Sequence, residues 1–122
     1  MKENFYEYIT NLIKDEKELI YEWGLNNSEI TFKKNNPGGF DITVNYDASY
    51  IYLFTDRGYH NQFTISNNFN DVLTDVLAIV RDLLTKNIRI REYLSNSKPY
   101  KWELEYYINN KWNIEDKTTL IF

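Results

Sequence analysis

The chain contains no cysteine. That excludes a disulfide scaffold, a thiolate zinc centre and a cysteine nucleophile. Only four glycines and two prolines occur in 122 residues, and no glycine-rich phosphate loop, dinucleotide fingerprint or calcium loop is present. A single histidine leaves no histidine spacing suited to a metal. There is no apolar run of about 7–15 residues near the start, as a signal peptide needs. Nor does any window approach the roughly 18 apolar residues of a transmembrane helix. These absences lead to the expectation of a cytoplasmic protein with no membrane association, no metal and no cofactor.

What is present is a globular composition. Hydrophobic residues make up 43% and aromatics 17%, enough to build a core in a chain of one domain's length. We expect a single domain over residues 1–122. The abundance of Asn, Lys, Ile and Tyr matches AT-rich codons and suggests a bacterial source.

Helical spacing predicts an amphipathic helix over Glu3 to Trp23, with Phe5, Tyr8, Ile9, Leu12, Ile13, Leu19, Ile20 and Trp23 on one stripe. Gly24 and Leu25 would form its C-terminal stop. Strand patterns follow at Ile30–Phe32, Phe40–Tyr46, Tyr50–Phe54 and Tyr59–Ile65, separated by turn signals at 35–39, 47–49 and 56–58. A second helix is expected from a cap at Asn68 or Asn70 to Lys86-Asn87, with Leu73, Val76, Leu77, Val80 and Leu84 facing the core. The tail returns to strands around Ile88–Arg91 and Tyr100–Ile108. Ser95–Pro99 reads as a loop, Asn109-Asn110 as a tight hairpin, and Trp112 onward as the return strand. Leu120-Ile121-Phe122 reads as an edge strand or as the start of a continuing segment.

The fold class is therefore α+β. Hairpin connections imply an antiparallel sheet of about five to seven strands, and two amphipathic helices suffice to cover one face of it.

Chemistry has few candidates. His60 is a general base only if Asp56 orients it and a nucleophile lies nearby. Ser28, Ser49, Ser66, Ser95 and Ser97 all fall in turns or caps rather than a nucleophile elbow. Glu103 and Glu105 share one strand face about 7 Å apart, a spacing open to a glycosidase pair or a metal site and equally to an ordinary wet strand face. The expectation is a protein without catalytic residues.

Charge is more informative. Residues 1–85 carry seven basic and thirteen acidic side chains, whereas residues 86–111 carry six basic and three acidic. Asp15, Glu18 and Glu22 would form an acidic outer face of the first helix, suited to a protein partner. Arg89, Arg91 and Lys101 are candidate contacts for an anion or nucleic acid, with Tyr107 as a stacking surface. Their positive excess is smaller than nucleic-acid binders carry, and Arg89 and Arg91 can pair with Glu103 and Glu105 across a sheet.

Strand Tyr50–Phe54 is apolar on both faces. If Ile51 and Leu53 face the helices, Tyr50, Tyr52 and Phe54 line an open face, which calls for a partner, a covering loop or a homodimer contact. A small-ligand cavity lined by Trp23, Trp102 and Trp112 is a further alternative.

In element order, size and acidity the chain resembles the small immunity proteins that protect bacteria from their own polymorphic toxins. The segment Pro99-Tyr100-Lys101-Trp102-Glu103-Leu104, a strand opened by proline after a core helix, is the closest local echo. The helix–strands–helix–strands order also resembles secretion chaperones, although those usually end in a third helix. The first resemblance implies non-enzymatic binding of a protein partner, namely a cationic toxin domain. It carries no functional residues with it.

Overall fold

The computed structural model describes the chain except residues 1, 25, 35–38, 48, 57, 66–67, 86–87 and 120–122. The predicted helix stop at Leu25, most of the 35–39 turn, the helix end at Lys86-Asn87 and the apolar run Leu120–Phe122 lie outside the described residues.

The element order is α1 (Lys2–Ile13), β1 (Tyr21–Trp23), β2 (Glu29–Phe32), β3 (Ile42–Asp47), β4 (Tyr50–Thr55), β5 (His60–Thr64), α2 (Phe69–Thr85), β6 (Ile88–Ser95), β7 (Lys98–Ile108) and β8 (Lys111–Thr119). The class is α+β and every strand pairing is antiparallel. The strands divide into two meanders, β1-β2-β3-β4-β5 and β6-β7-β8, where one sheet was expected. The α2 helix interrupts the chain between them, and β6 finds its partner in the adjacent hairpin strand, the nearest one along the chain.

The first helix is half as long as its periodicity suggests. Continuing past Ile13 would aim Glu16 and Lys17, the next two stripe positions, at the core. The chain turns instead, with Glu16 N–H donating to the Ile13 carbonyl at 3.0 Å. Arg81 of α2 then closes the helix end. Its Nη2 donates to the Leu12 carbonyl at 3.3 Å and its Nε to Glu16 Oε1 at 2.6 Å. Tyr21–Trp23, expected on the helix, becomes edge strand β1. Ile20 is consequently 63% exposed rather than part of an apolar stripe.

Helix α2 follows its expected start. Asn68 caps it, accepting the Asp71 N–H on Oδ1 at 3.4 Å. Leu73, Val76, Leu77, Val80, Leu83 and Leu84 are all buried. Both helices cover the same face of the five-stranded sheet. The ring of Tyr46 on β3 stacks on Phe5 of α1 at 5.6 Å and meets Phe69 of α2 edge-on at 5.7 Å. Ile30, Phe32, Ile42, Val44, Ile51 and Leu53 complete this core layer.

Two-residue turns close both hairpins of the second sheet. Asn96-Ser97 and Asn109-Asn110 all have positive φ, between 53° and 66°, the geometry that matches the twist of paired strands. The segment expected as a loop at Ser95–Pro99 is thus a hairpin. Pro99 offers no N–H to the ladder, and the register shifts opposite it, between Tyr93 and Leu94.

Side chains join the two sheets. Tyr59 and Asn61 both bond Asp116 on β8. Trp102 of β7 lies against Gly58, where an added Cβ would come within 2.2 Å of the indole nitrogen.

Candidate functional site: the open face of the five-stranded sheet

Strand register decides which side chains share a surface. In β4, Ile51, Leu53 and Thr55 point into the core, so Tyr50, Tyr52 and Phe54 point away. The ladder then aligns two rows on the face that neither helix covers. One runs Glu29, Asn45, Tyr52, Gln62. The other runs Glu22, Thr31, Thr43, Phe54, His60. Tyr50 and Phe54 are 36% and 38% exposed, and the Tyr50 and Tyr52 rings pack 6.0 Å apart. Thr31 and Thr43 hydroxyls bond at 3.0 Å and tie the middle of the face together.

A shallow cavity of about 490 Å³ opens here. Its wall includes Glu29, Asn45, Tyr52, Phe54, His60 and Gln62. No tryptophan lines it. Trp23 packs on Phe5 and Tyr6, Trp102 on His60, and Trp112 under Arg89. The three tryptophans thus pack on different neighbours.

Of the five residues expected to bind a partner, the structure gathers Glu22, Tyr50 and Tyr52 on this face. Asp15 and Glu18 are exposed in the turn after α1, off the face. Their predicted helix surface does not exist, because the helix ends at Ile13. Glu22 reaches the face because β1 is a strand, and its carboxylate lies 3.5 Å from Lys33 Nζ. Glu29 was missed by sequence reasoning. The alternation that buries Ile30 and Phe32 places it opposite them, and that was the available signal.

The second sheet presents a different surface. Arg89 stands opposite Glu105 and Arg91 opposite Glu103 in the β6–β7 register, the cross-strand pairing that the sequence allows. Arg89 Nε is 2.5 Å from Glu105 Oε1, and Lys101 Nζ is 3.5 Å from Glu103 Oε2. The two carboxylates are not wet, being only 5% and 4% exposed. Arg89, Arg91 and Tyr93 reach them from β6, and Lys101 from two residues earlier on β7. Tyr93 donates its hydroxyl to Glu103. That bond, helped by the nearby Lys101 and Arg91, holds the Glu103 carboxyl below its ordinary value against the opposing effect of burial. Above this layer Arg89 stacks on Trp112 at 4.1 Å, and Tyr107 packs on Trp112 at 5.1 Å. Arg89, Arg91 and Lys101 thus do converge on one face, with Glu103 and Glu105 as their partners.

His60 Nδ1 lies 3.1 Å from the Gly58 carbonyl oxygen and its ring meets Trp102 edge-on at 6.0 Å. Asp56, its expected orienter, accepts the Asp41 backbone N–H at 3.2 Å. Among the described residues no group of three His, Asp or Glu side chains is placed to hold a metal ion. No helix among them is long and apolar enough to cross a membrane.

The fold and this surface define an α+β domain with an uncovered aromatic sheet face. Comparison with known proteins finds no matching family model, no matching curated protein and no matching solved structure.

Proposed function

We propose that this protein is a bacterial, non-enzymatic binding domain that captures a basic protein partner on the open face of its five-stranded sheet, in the manner of an immunity protein neutralising a cognate toxin. The observation that carries this reading is the pair of rows around Tyr52 and Phe54. They combine exposed aromatic area with the carboxylates of Glu22 and Glu29, and both helices lie on the other side. Tyrosine rings contribute large, rigid contact area at interfaces, and an acidic surround speeds encounter with a cationic partner. The net charge of -4 acts in the same direction.

A nucleic-acid reading draws less support. Its three cations Arg89, Arg91 and Lys101 already face carboxylates within 4.0 Å.

The test is affinity capture from the source organism with the wild-type chain and Tyr52→Ala as baits, followed by association kinetics on the purified partner. A basic protein whose association slows with added salt, and whose capture is lost with Tyr52→Ala, supports the reading. A partner retained equally by Tyr52→Ala, or RNA released by Arg91→Ala, replaces it.

A further inference from the structure

The cavity beside Tyr52 has a consistent chemical character. Among the described residues its lining side chains are aromatic, apolar or able to accept a hydrogen bond, and none of these is lysine or arginine. Glu29, Asn45 and Tyr52 stand side by side on three adjacent strands. Neighbouring strands are about 4.8 Å apart. A group seated over Asn45 therefore has the Glu29 carboxylate on one side and the Tyr52 ring on the other. The Gln62 amide continues the row beyond Tyr52, and Phe54 flanks it along β4.

The Glu29 carboxylate stands at this rim. It sits against Gly24, where an added Cβ would come within 3.3 Å of its Oε2. Glu29 is half-buried, and among the described residues no lysine or arginine forms an ion pair with it. Glu22, by contrast, has Lys33. A partly desolvated carboxylate facing a shallow cavity favours a cation that can enter.

We infer that this cavity receives an arginine side chain presented by the partner protein. The inference rests on the open face being the partner surface and adds the chemistry of its anchor. A planar guanidinium can lie on the Tyr52 ring while its several N–H donors reach the Glu29 carboxylate and the Asn45 and Gln62 amide oxygens. A lysine ammonium offers a point charge without the flat face, so it uses the carboxylate but not the ring as fully.

The test needs no partner. N-acetyl-arginine methylamide, its citrulline analogue and its lysine analogue are titrated into the full chain while backbone amide shifts are followed by NMR. The arginine probe is expected to move the Tyr52, Phe54 and Gln62 amides saturably and to bind more tightly than the lysine probe. The neutral citrulline probe is expected to leave those amides in place. Glu29→Gln, which keeps the side chain's shape, should weaken the arginine probe about five-fold, and Tyr52→Leu by a similar factor. An unchanged melting temperature for Glu29→Gln separates lost binding from lost folding.

Equal shifts from arginine and citrulline, or saturable shifts confined to another surface, overturn the inference. So does an arginine affinity that Glu29→Gln leaves unchanged. If the probes fail while partner capture still depends on Tyr52, only the arginine anchor falls. If capture is independent of Tyr52, the partner surface itself is wrong.

Discussion

The phenolic hydroxyl of Tyr59 donates to Oδ2 of Asp116 at 2.5 Å, across a sequence separation of 57 residues. Asn61 Nδ2 reaches the same oxygen at 3.0 Å. Tyr59 leads into β5 and Asp116 stands on β8, so one carboxylate oxygen ties the edge of the larger sheet to the smaller one. Tyr59 is only 2% exposed. Removing its hydroxyl leaves a half-buried carboxylate with one donor fewer. Tyr59→Phe is expected to lower stability by about 1–3 kcal/mol in a urea titration.

The same bond sets an alkaline limit. Burial, and then the hydrogen bond and charge of Asp116, push the Tyr59 pKa well above the ordinary 10.0. The folded state therefore keeps this proton where the unfolded chain loses it. That contribution is complete below pH 10.0 and falls away as pH rises beyond it towards the folded value. A stability profile taken upward from neutral pH should decline above that point, and Tyr59→Phe should flatten the decline.

On the acid side the sign reverses. The hydroxyl of Tyr93 is the main group holding the Glu103 carboxyl below 4.5. Its stabilisation is complete above that pH and is lost as pH falls through the lower folded value. Tyr93→Phe should reduce stability at neutral pH and make the acid limb of the profile shallower. An acid limb identical to wild type would show that Tyr93 does not stabilise the carboxylate.

Two substitutions test the packing. Leu77 is 2% exposed on α2, and Leu77→Ala should cost about 2–5 kcal/mol, seen as a lowered denaturation midpoint. Gly58 has φ of 95° and touches the Trp102 indole. Gly58→Ala should cost more than about 1 kcal/mol and shift Trp102 fluorescence, because the methyl group displaces the indole.

Position on or off the open face predicts kinetics with a basic partner. Glu22→Lys should slow association more than Asp15→Lys or Glu18→Lys, because only Glu22 shares the face with Tyr52. Tyr52→Ala should act mainly by speeding dissociation. Equal slowing by all three charge reversals would show that long-range attraction alone matters, and not placement.

Much of the fold is legible in the residues themselves. The run Phe69 to Leu84 has a single strong helical period, and Asn68 before it supplies a cap, so α2 appears where expected. The alternation in Phe40–Tyr46 and the Asn109-Asn110 turn likewise act over short stretches of chain. Such signals are local, and local physics is sufficient to read them. They also decide that Tyr50, Tyr52 and Phe54 share a face, once Ile51 and Leu53 are taken as core.

Other features are set only by contacts distant in sequence. Residues 14–23 carry a helical pattern that is interrupted by the five charged positions 14–18. Whether that gap bends a helix or ends it depends on Arg81, more than sixty residues away, which takes both the Leu12 carbonyl and Glu16. Glu103 and Glu105 read as wet because nothing along the strand covers them. They are buried because Arg89, Arg91 and Tyr93 of the paired strand β6 fold across them, joined by Lys101 from β7 itself. Residue order determined which side chains alternate and where helices begin. Strand pairing decided which of those side chains meet, because a ladder joins positions by register rather than by distance along the chain.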